Sequence, residues 1–196
     1  MTKDRGYAYG VDPGVQLCDL CQELGIGEVT FYGFTHDNTK RPAVQREAFQ
    51  QACVAAVRGL GDRQADVLVV GNRESRMFPT ELSSYTLQAG RQNAALKVNL
   101  LANYSWQWDL AQAFAAATHA KSPDPAQLIE QLGSAAIPRI DLVVRWGGRR
   151  RLSGFLPIQT VYADLFVVDE MWPDFAREQL YEALAWYQYQ DPTLGG

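Results

Sequence analysis

The sequence predicts an α/β fold: a single domain with a mostly parallel central sheet flanked by helices. Two observations carry that expectation. Short apolar runs rich in β-branched and aromatic residues alternate with segments of helical periodicity along the chain. The 196 residues are 47% hydrophobic and 20% charged, proportions that suit one globular domain with a core large enough to fold without disulfides or metals.

The elements follow in order. Asp12-Pro13-Gly14 reads as a helix start, with Asp12 as N-cap and proline in the first turn. Val15, Leu17, Cys18, Cys21 and Leu24 then form an apolar face, and Gly25 ends the helix. EVTFYGF (28–34) is a buried strand. Pro42 opens a second helix that runs to Gly59–Gly61. ADVLVVGN (65–72) and ALKVNLLANY (95–104) are further buried strands, with a helix expected near 79–92 between them. WDLAQAFAAATHA (108–120) is helical, KSPDP (121–125) is a loop, and a short amphipathic helix covers 125–133. DLVVRW (141–146) and ADLFVVD (163–169) are the last strands, and FAREQLYEALAWYQ (175–188) is the terminal helix.

Charge and composition exclude several classes. A net charge of −4 argues against a general nucleic-acid binder. No apolar run reaches the roughly 18 residues of a membrane span, so at most peripheral membrane contact is expected. The opening MTKDRGYAYG has no apolar core of a signal peptide, and a cytoplasmic protein is expected. Three cysteines make no disulfide framework. Cys18 and Cys21 spell CxxC, but no second ligand pair completes a zinc site, and both read as small fillers of one helix face. His36 and His119 are the only histidines, and neither has a sequence-visible catalytic partner.

In parallel sheets, ligands bind beyond the carboxyl ends of the strands. Polar clusters stand there four times: THDNTKRP after the first strand, GNRESR after the second, ANYSW after the third and RWGGRRR after the fourth. The sequence places these ends around one cleft. RWGGRRRLSGF (145–155) is the most specific. Arg145, Arg151 and Ser153 offer two guanidinium forks and a hydroxyl, which match phosphate oxygens. Gly147 and Gly148 would let backbone approach the anion. The plain alternative is a solvated basic loop. Asn38 and Arg41 lie between a strand and a proline-started helix, a position suited to orienting a substrate anion. The plain alternative there is a turn asparagine and a solvent arginine. No GxxxxGK[ST] stretch is present, so the chain is not a P-loop protein.

These residues carry a resemblance. DLVVRWGGRRRLSGFLPIQTVYADLFVVDEMWPDF (141–175) resembles the C-terminal signature of the cis-prenyltransferases, the undecaprenyl diphosphate synthase family. YGFTHDNTKRP (32–42) resembles that family's Y-x-F-S-x-E-N-W-x-R-P, and VNLLANYSWQWDL (98–110) its L-N-x-A-x-N-Y-G-G-R-x-E/D-I. GYAYG (6–10) stands where G-H-x-x-G would. The family condenses isopentenyl diphosphate with an allylic prenyl diphosphate, forming Z double bonds. The resemblance implies that Arg145, Arg151 and Ser153 hold isopentenyl diphosphate. It implies that Asn38 and Arg41 act at the reacting ends, with Thr35 and Asp37 standing for the family's Ser and Glu. Asp164 stands for a glutamate that helps bind Mg²⁺, whose role is to neutralise a leaving diphosphate. A homodimer is also implied, built around VYADLFVVDEMWPDF (161–175).

The departures are informative. The family's first motif, H-x-x-x-x-M-D-G-N-x-R-W, is not among residues 1–196, so the chain reads as one domain truncated at its N-terminus relative to the family. Trp146 replaces Thr, Arg149 replaces Glu, Gly154 replaces Asn, Ser105-Trp106-Gln107 replaces Gly-Gly-Arg, Thr39 replaces Trp and Tyr7 replaces His. Three functions compete: a prenyltransferase, a non-catalytic subunit that stabilises an active family partner, and a variant enzyme coupling or cyclising short prenyl diphosphates. The last would draw on Trp106 and Trp146 as π faces near a carbocation. Gly33 would leave space in a product tunnel. Without the first motif's aspartate and donors, these 196 residues alone are expected to turn over prenyl diphosphates poorly.

Overall fold

The computed structural model describes residues 10–61, 65–86, 94–117 and 124–190. Tyr7, His119 and most of the GYAYG and KSPDP stretches lie outside them. The chain forms two compact units, Met1–Ala136 and Ile137–Gly196, each considered by itself.

The first unit opens with α1 (Val11–Glu23). Its N-cap is Gly10 rather than Asp12, which sits inside the first turn, where a carboxylate suits the helix dipole. Pro13, Leu17, Cys18, Leu20 and Cys21 are its buried face. Ile26 N–H donates to Cys21 O at 2.8 Å and Gly25 N–H to Gln22 O at 3.2 Å, the paired bonds of a glycine-ended helix. Next come β1 (Glu28–Thr35), α2 (Ala43–Gly61), β2 (Asp66–Val70) and β3 (Lys97–Tyr104). The three strands form a parallel sheet in the order β1-β3-β2. Two neighbours make β3 the central strand, and Val98 through Tyr104 are all buried, hence its nearly unbroken apolar run. Within it, buried Asn99 donates to Glu28 Oε1 at 2.8 Å and Thr30 Oγ1 at 3.1 Å across the β1 pairing.

Phe34, Cys53, Val57, Val69, Phe78, Leu82, Leu100 and Ala102 make the core between α2 and the sheet. Gly33 lies at an irregularity in the β1–β3 register. A side-chain carbon there would meet Leu100 Cδ1 at 2.8 Å and Cys53 Sγ at 3.1 Å, so the space expected of a tunnel is filled core. At the exit of β2, a side-chain carbon on Gly71 would lie 1.6 Å from Ala102 O, so only glycine allows this approach to β3. The helix expected over 79–92 is a 3-10 segment, Thr80–Tyr85, within the described residues. α3 (Trp106–Ala116) starts two residues before the expected position because Ser105 caps it, accepting from Trp108 N–H at 3.1 Å. α4 (Pro125–Glu130) is capped by Asp124.

The second unit pairs β4 (Leu142–Trp146) and β5 (Asp164–Val168) in parallel, with α5 (Arg177–Tyr187) packed on both. Among the described residues every strand pairing is parallel, as the sequence predicts. Of the four polar strand ends, three belong to the first unit's sheet and the fourth, RWGGRRR, to the second unit.

Candidate functional site: an arginine loop at a strand end

The second unit builds its candidate site from the end of β4. Arg145 and Trp146 are consecutive in a strand, so their side chains leave on opposite faces. Trp146 goes toward α5: its indole N–H donates to Gln179 Oε1 at 2.8 Å. Its ring packs edge-on against Trp172 at 4.9 Å and Phe175 at 5.9 Å between centroids. The ring expected as a π face near a carbocation is instead part of an aromatic cluster under α5. Arg145 takes the other face. Its Nη1 donates to Ser153 Oγ at 3.1 Å and also to the carbonyl oxygen of Arg151. One guanidinium thus draws together all three residues singled out in the sequence.

The loop is shaped for this. Ser153 adopts a left-handed backbone (φ 53°), followed by Gly154 (φ 76°). A non-glycine residue there carries strain of order 1 kcal/mol, which the fork of Arg145 helps to hold. The roles of Gly147 and Gly148 differ from expectation. Their N–H groups donate to Glu170 O at 2.7 Å and Val168 O at 3.0 Å, so they close the turn against the end of β5 and offer no donor to an anion.

Arg149, Arg150 and Arg151 are exposed. They make no ion pair among the described residues. Three adjacent cations in a chain of net charge −4 form a local positive field.

In the first unit, Thr35, Asp37, Asn38 and Arg41 do come together, at the end of β1. Much of their chemistry is used locally. Asn38 Oδ1 accepts from Thr35 N–H at 2.9 Å and Thr35 Oγ1 at 2.8 Å, while Thr35 Oγ1 accepts from Asn38 N–H at 3.3 Å. This reciprocal cap fixes the 3-10 turn His36–Lys40. It also orients the Asn38 amide, whose Nδ2 makes no hydrogen bond among the described residues. Asp37 is exposed and paired with Lys40 at 2.9 Å, and that hydrogen bond lowers its pKa. The Arg41 guanidinium lies over Phe49, 5.3 Å from the ring centroid.

Within the polar cluster ANYSW, Asn103 is given no role of its own by the sequence. Asn103, 1% exposed, holds a left-handed conformation (φ 52°) at the end of the central strand. Its Nδ2 donates to Asn72 O at 3.1 Å, and its buried Oδ1 has no partner among the described residues. The neighbouring Tyr104 hydroxyl donates to Asp109 Oδ2 at 2.8 Å. Asp109, 3% exposed, also accepts from Ser134 N–H at 2.9 Å and Ser134 Oγ at 2.6 Å. Three donors on one buried carboxylate make this an anchor for α3.

Asp164 stands apart from the arginines. It opens β5 opposite Leu142, whereas Arg145 lies opposite Val167. Three residues of parallel strand separate them along the ladder within one chain, about 10 Å. Among the described residues no three His, Cys, Asp or Glu side chains gather as a metal cage. The Asp164 carboxylate makes no hydrogen bond there, so one hard oxygen donor is open to a cation. That fits Mg²⁺ only as an ion shared with substrate phosphates.

Comparison with known proteins gives one answer. The chain matches a prenyltransferase family described as "Putative undecaprenyl diphosphate synthase" over residues 1–195. A ditrans,polycis-undecaprenyl-diphosphate synthase ((2E,6E)-farnesyl-diphosphate specific) of Pseudomonas putida is 32% identical over 205 residues, covering 97% of this chain and 81% of the relative. An isoprenyl transferase of Chromobacterium violaceum is 30% identical, covering 97% and 78%. Two solved structures share the fold. A probable undecaprenyl diphosphate synthase from Campylobacter jejuni has a TM-score of 0.81 at 20% identity, covering 96% of this chain and 92% of that one. Lavandulyl diphosphate synthase from Lavandula x intermedia, in complex with dimethylallyl diphosphate, has a TM-score of 0.87 at 21% identity, covering 100% and 90%. The strand ends, the arginine loop and these matches agree, and the chain belongs to the undecaprenyl diphosphate synthase family of cis-prenyltransferases.

Proposed function

We propose that this protein binds isopentenyl diphosphate through Arg145, Arg151 and Ser153 and takes part in its condensation with an allylic prenyl diphosphate. In that reaction the allylic carbon–oxygen bond breaks, a carbon–carbon bond forms, a proton is lost and diphosphate leaves. The product is a Z-polyprenyl diphosphate. The observation that carries this reading is the Arg145 guanidinium joined to Ser153 and Arg151, beside a cationic triplet that makes no ion pair among the described residues. Arg145 and Ser153 would fix the headgroup's position, and Arg151 would add a second guanidinium to its oxygens.

At the end of β1, the Asn38 Nδ2, which makes no hydrogen bond among the described residues, is a donor for a substrate diphosphate, and Arg41 supplies charge. Thr35 and Asp37 hold that turn. Asp164 is the residue that would hold magnesium together with diphosphate oxygens; the bound ion would neutralise their charge.

We further propose one domain over residues 1–196, acting in the cytoplasm as a homodimer. Exposed Val161, Tyr162 and Met171, in the segment assigned to the interface, support the dimer. Sedimentation at micromolar concentration should give a dimer, and a monomer would contradict it.

The test of function is turnover with Mg²⁺, labelled isopentenyl diphosphate and allylic primers of several lengths. Residues 1–196 assayed alone should elongate slowly, and Arg145→Ala should abolish the remainder. Product unaffected by Arg145→Ala would remove the site. Product formed only after adding a second family member would assign the subunit role.

A further inference from the structure

We propose that the outer face of α3 docks on the uncharged surface of a lipid bilayer. The helix is unusual in composition: its eleven residues, WQWDLAQAFAA, hold a single ionisable side chain, Asp109. That carboxylate is buried and fully engaged by Tyr104 and Ser134. The solvent face therefore carries no charge. Trp106, Leu110 and Phe114 recur at i, i+4 and i+8, a stripe along that face. They are 45%, 37% and 56% exposed. Gln107 and Gln112 are its only exposed polar side chains, and Ala111, Ala115 and Ala116 fill the rest. A helix apolar nearly all round is ordinarily buried on every side or faces lipid.

The area and the charge select the occupant. Free aromatic side chains offer about 150–250 Å² each, so the exposed stripe amounts to roughly 300 Å². A stable protein interface needs about 800 Å² from each partner, so the stripe is too small to hold a second copy or a folded partner by itself. A bilayer requires no matching surface, and tryptophan and phenylalanine on one helix face suit its interfacial zone. A basic polar flank would favour anionic lipid, but α3 has none, and the chain as a whole is at −4. The complementary surface is zwitterionic, with attachment carried by apolar burial rather than by charge. Among the described residues no helix is long and apolar enough to cross a membrane. This docking does not rest on the assignment of substrate.

The probe is phosphatidylcholine vesicles without anionic lipid, tested by flotation of the full chain, Phe114→Gln and Trp106→Gln. Both positions are exposed, so both variants should melt with the parent. The parent should float, and each variant should partition about tenfold more weakly. Raising salt from about 0.05 to 0.5 M should change partitioning less than twofold, since no charge on this face is screened. Failure of the parent to float would overturn the proposal, as would equal partitioning by both variants or strong weakening by salt. A Phe114→Gln change that alters sedimentation but not flotation would assign the face to a protein interface and equally overturn it.

Discussion

Asp109 is the buried charge whose removal should cost most. Its Oδ1 takes the Ser134 N–H, and its Oδ2 takes the hydroxyls of Ser134 and Tyr104. Asp109→Ala leaves three buried donors facing a void. Breaking such a set costs on the order of 3–5 kcal/mol. In a chain of this length that lowers Tm by about 6–20 °C, at about 2–4 °C per kcal/mol. Asp109→Asn should be milder. Its oxygen can keep the Ser134 N–H, and its amide can donate to the two hydroxyls, which rotate to accept. A loss of about 1–3 kcal/mol is expected. Ser134→Ala and Tyr104→Phe each remove one charge-assisted bond, about 1.5–3 kcal/mol. Their double mutant should be non-additive, because both hydroxyls act on one oxygen. The assay is urea unfolding of the parent and all five variants, with titration of isopentenyl diphosphate as control. Unchanged stability in Asp109→Ala would refute the anchor. Asp109→Asn that keeps its stability but loses ligand binding would move Asp109 from the scaffold to the site.

Three further outcomes follow. Burial, then the adjacent Asp109 charge, raises the Tyr104 pKa above its ordinary value of 10.0. The folded state thus keeps the phenol proton where the unfolded chain releases it, so this contribution to stability is intact below about pH 10 and falls as pH rises beyond it. Tyr104→Phe should lose that part of the alkaline slope, and identical slopes would contradict the assignment. Burial pushes the Cys53 thiol up to about 12 and Cys21 up to about 11, so a thiol reagent at pH 8 should label neither in the folded protein. Labelling faster than global unfolding would contradict the buried-filler reading. Thr35→Val removes a reciprocal cap and should cost about 1 kcal/mol while weakening order in the turn His36–Lys40, read as faster amide exchange there.

Much of the fold was legible because its signals are local. Period and composition marked all five strands, and proline or glycine marked the ends of α1 and α2. What stayed hidden depends on distant partners. Gly33 looked like spare room until Leu100 and Cys53 filled it from other elements. Gly147 and Gly148 looked like an anion cradle, yet their amides belong to Glu170 and Val168. Ser105 was passed over as a cap because it lay inside a motif read for chemistry. Trp146 was placed in the cleft because it replaces the family's threonine there, although strand alternation sends it to the face opposite Arg145. Asn103 was marked only as part of the polar strand end ANYSW: its left-handed backbone and the state of its oxygen depend on β2 and β3 ending side by side.

The central claim is that the arginine loop binds a diphosphate. Calorimetric titration of isopentenyl diphosphate into the chain and into Arg151→Ala tests it most directly. Arg151 is exposed and has no ion-pair partner among the described residues, so its loss should leave Tm unchanged. A charge-assisted contact to phosphate is worth about 1.5–3 kcal/mol, so affinity should fall roughly ten- to a hundredfold. Equal affinity in the two proteins would contradict the account.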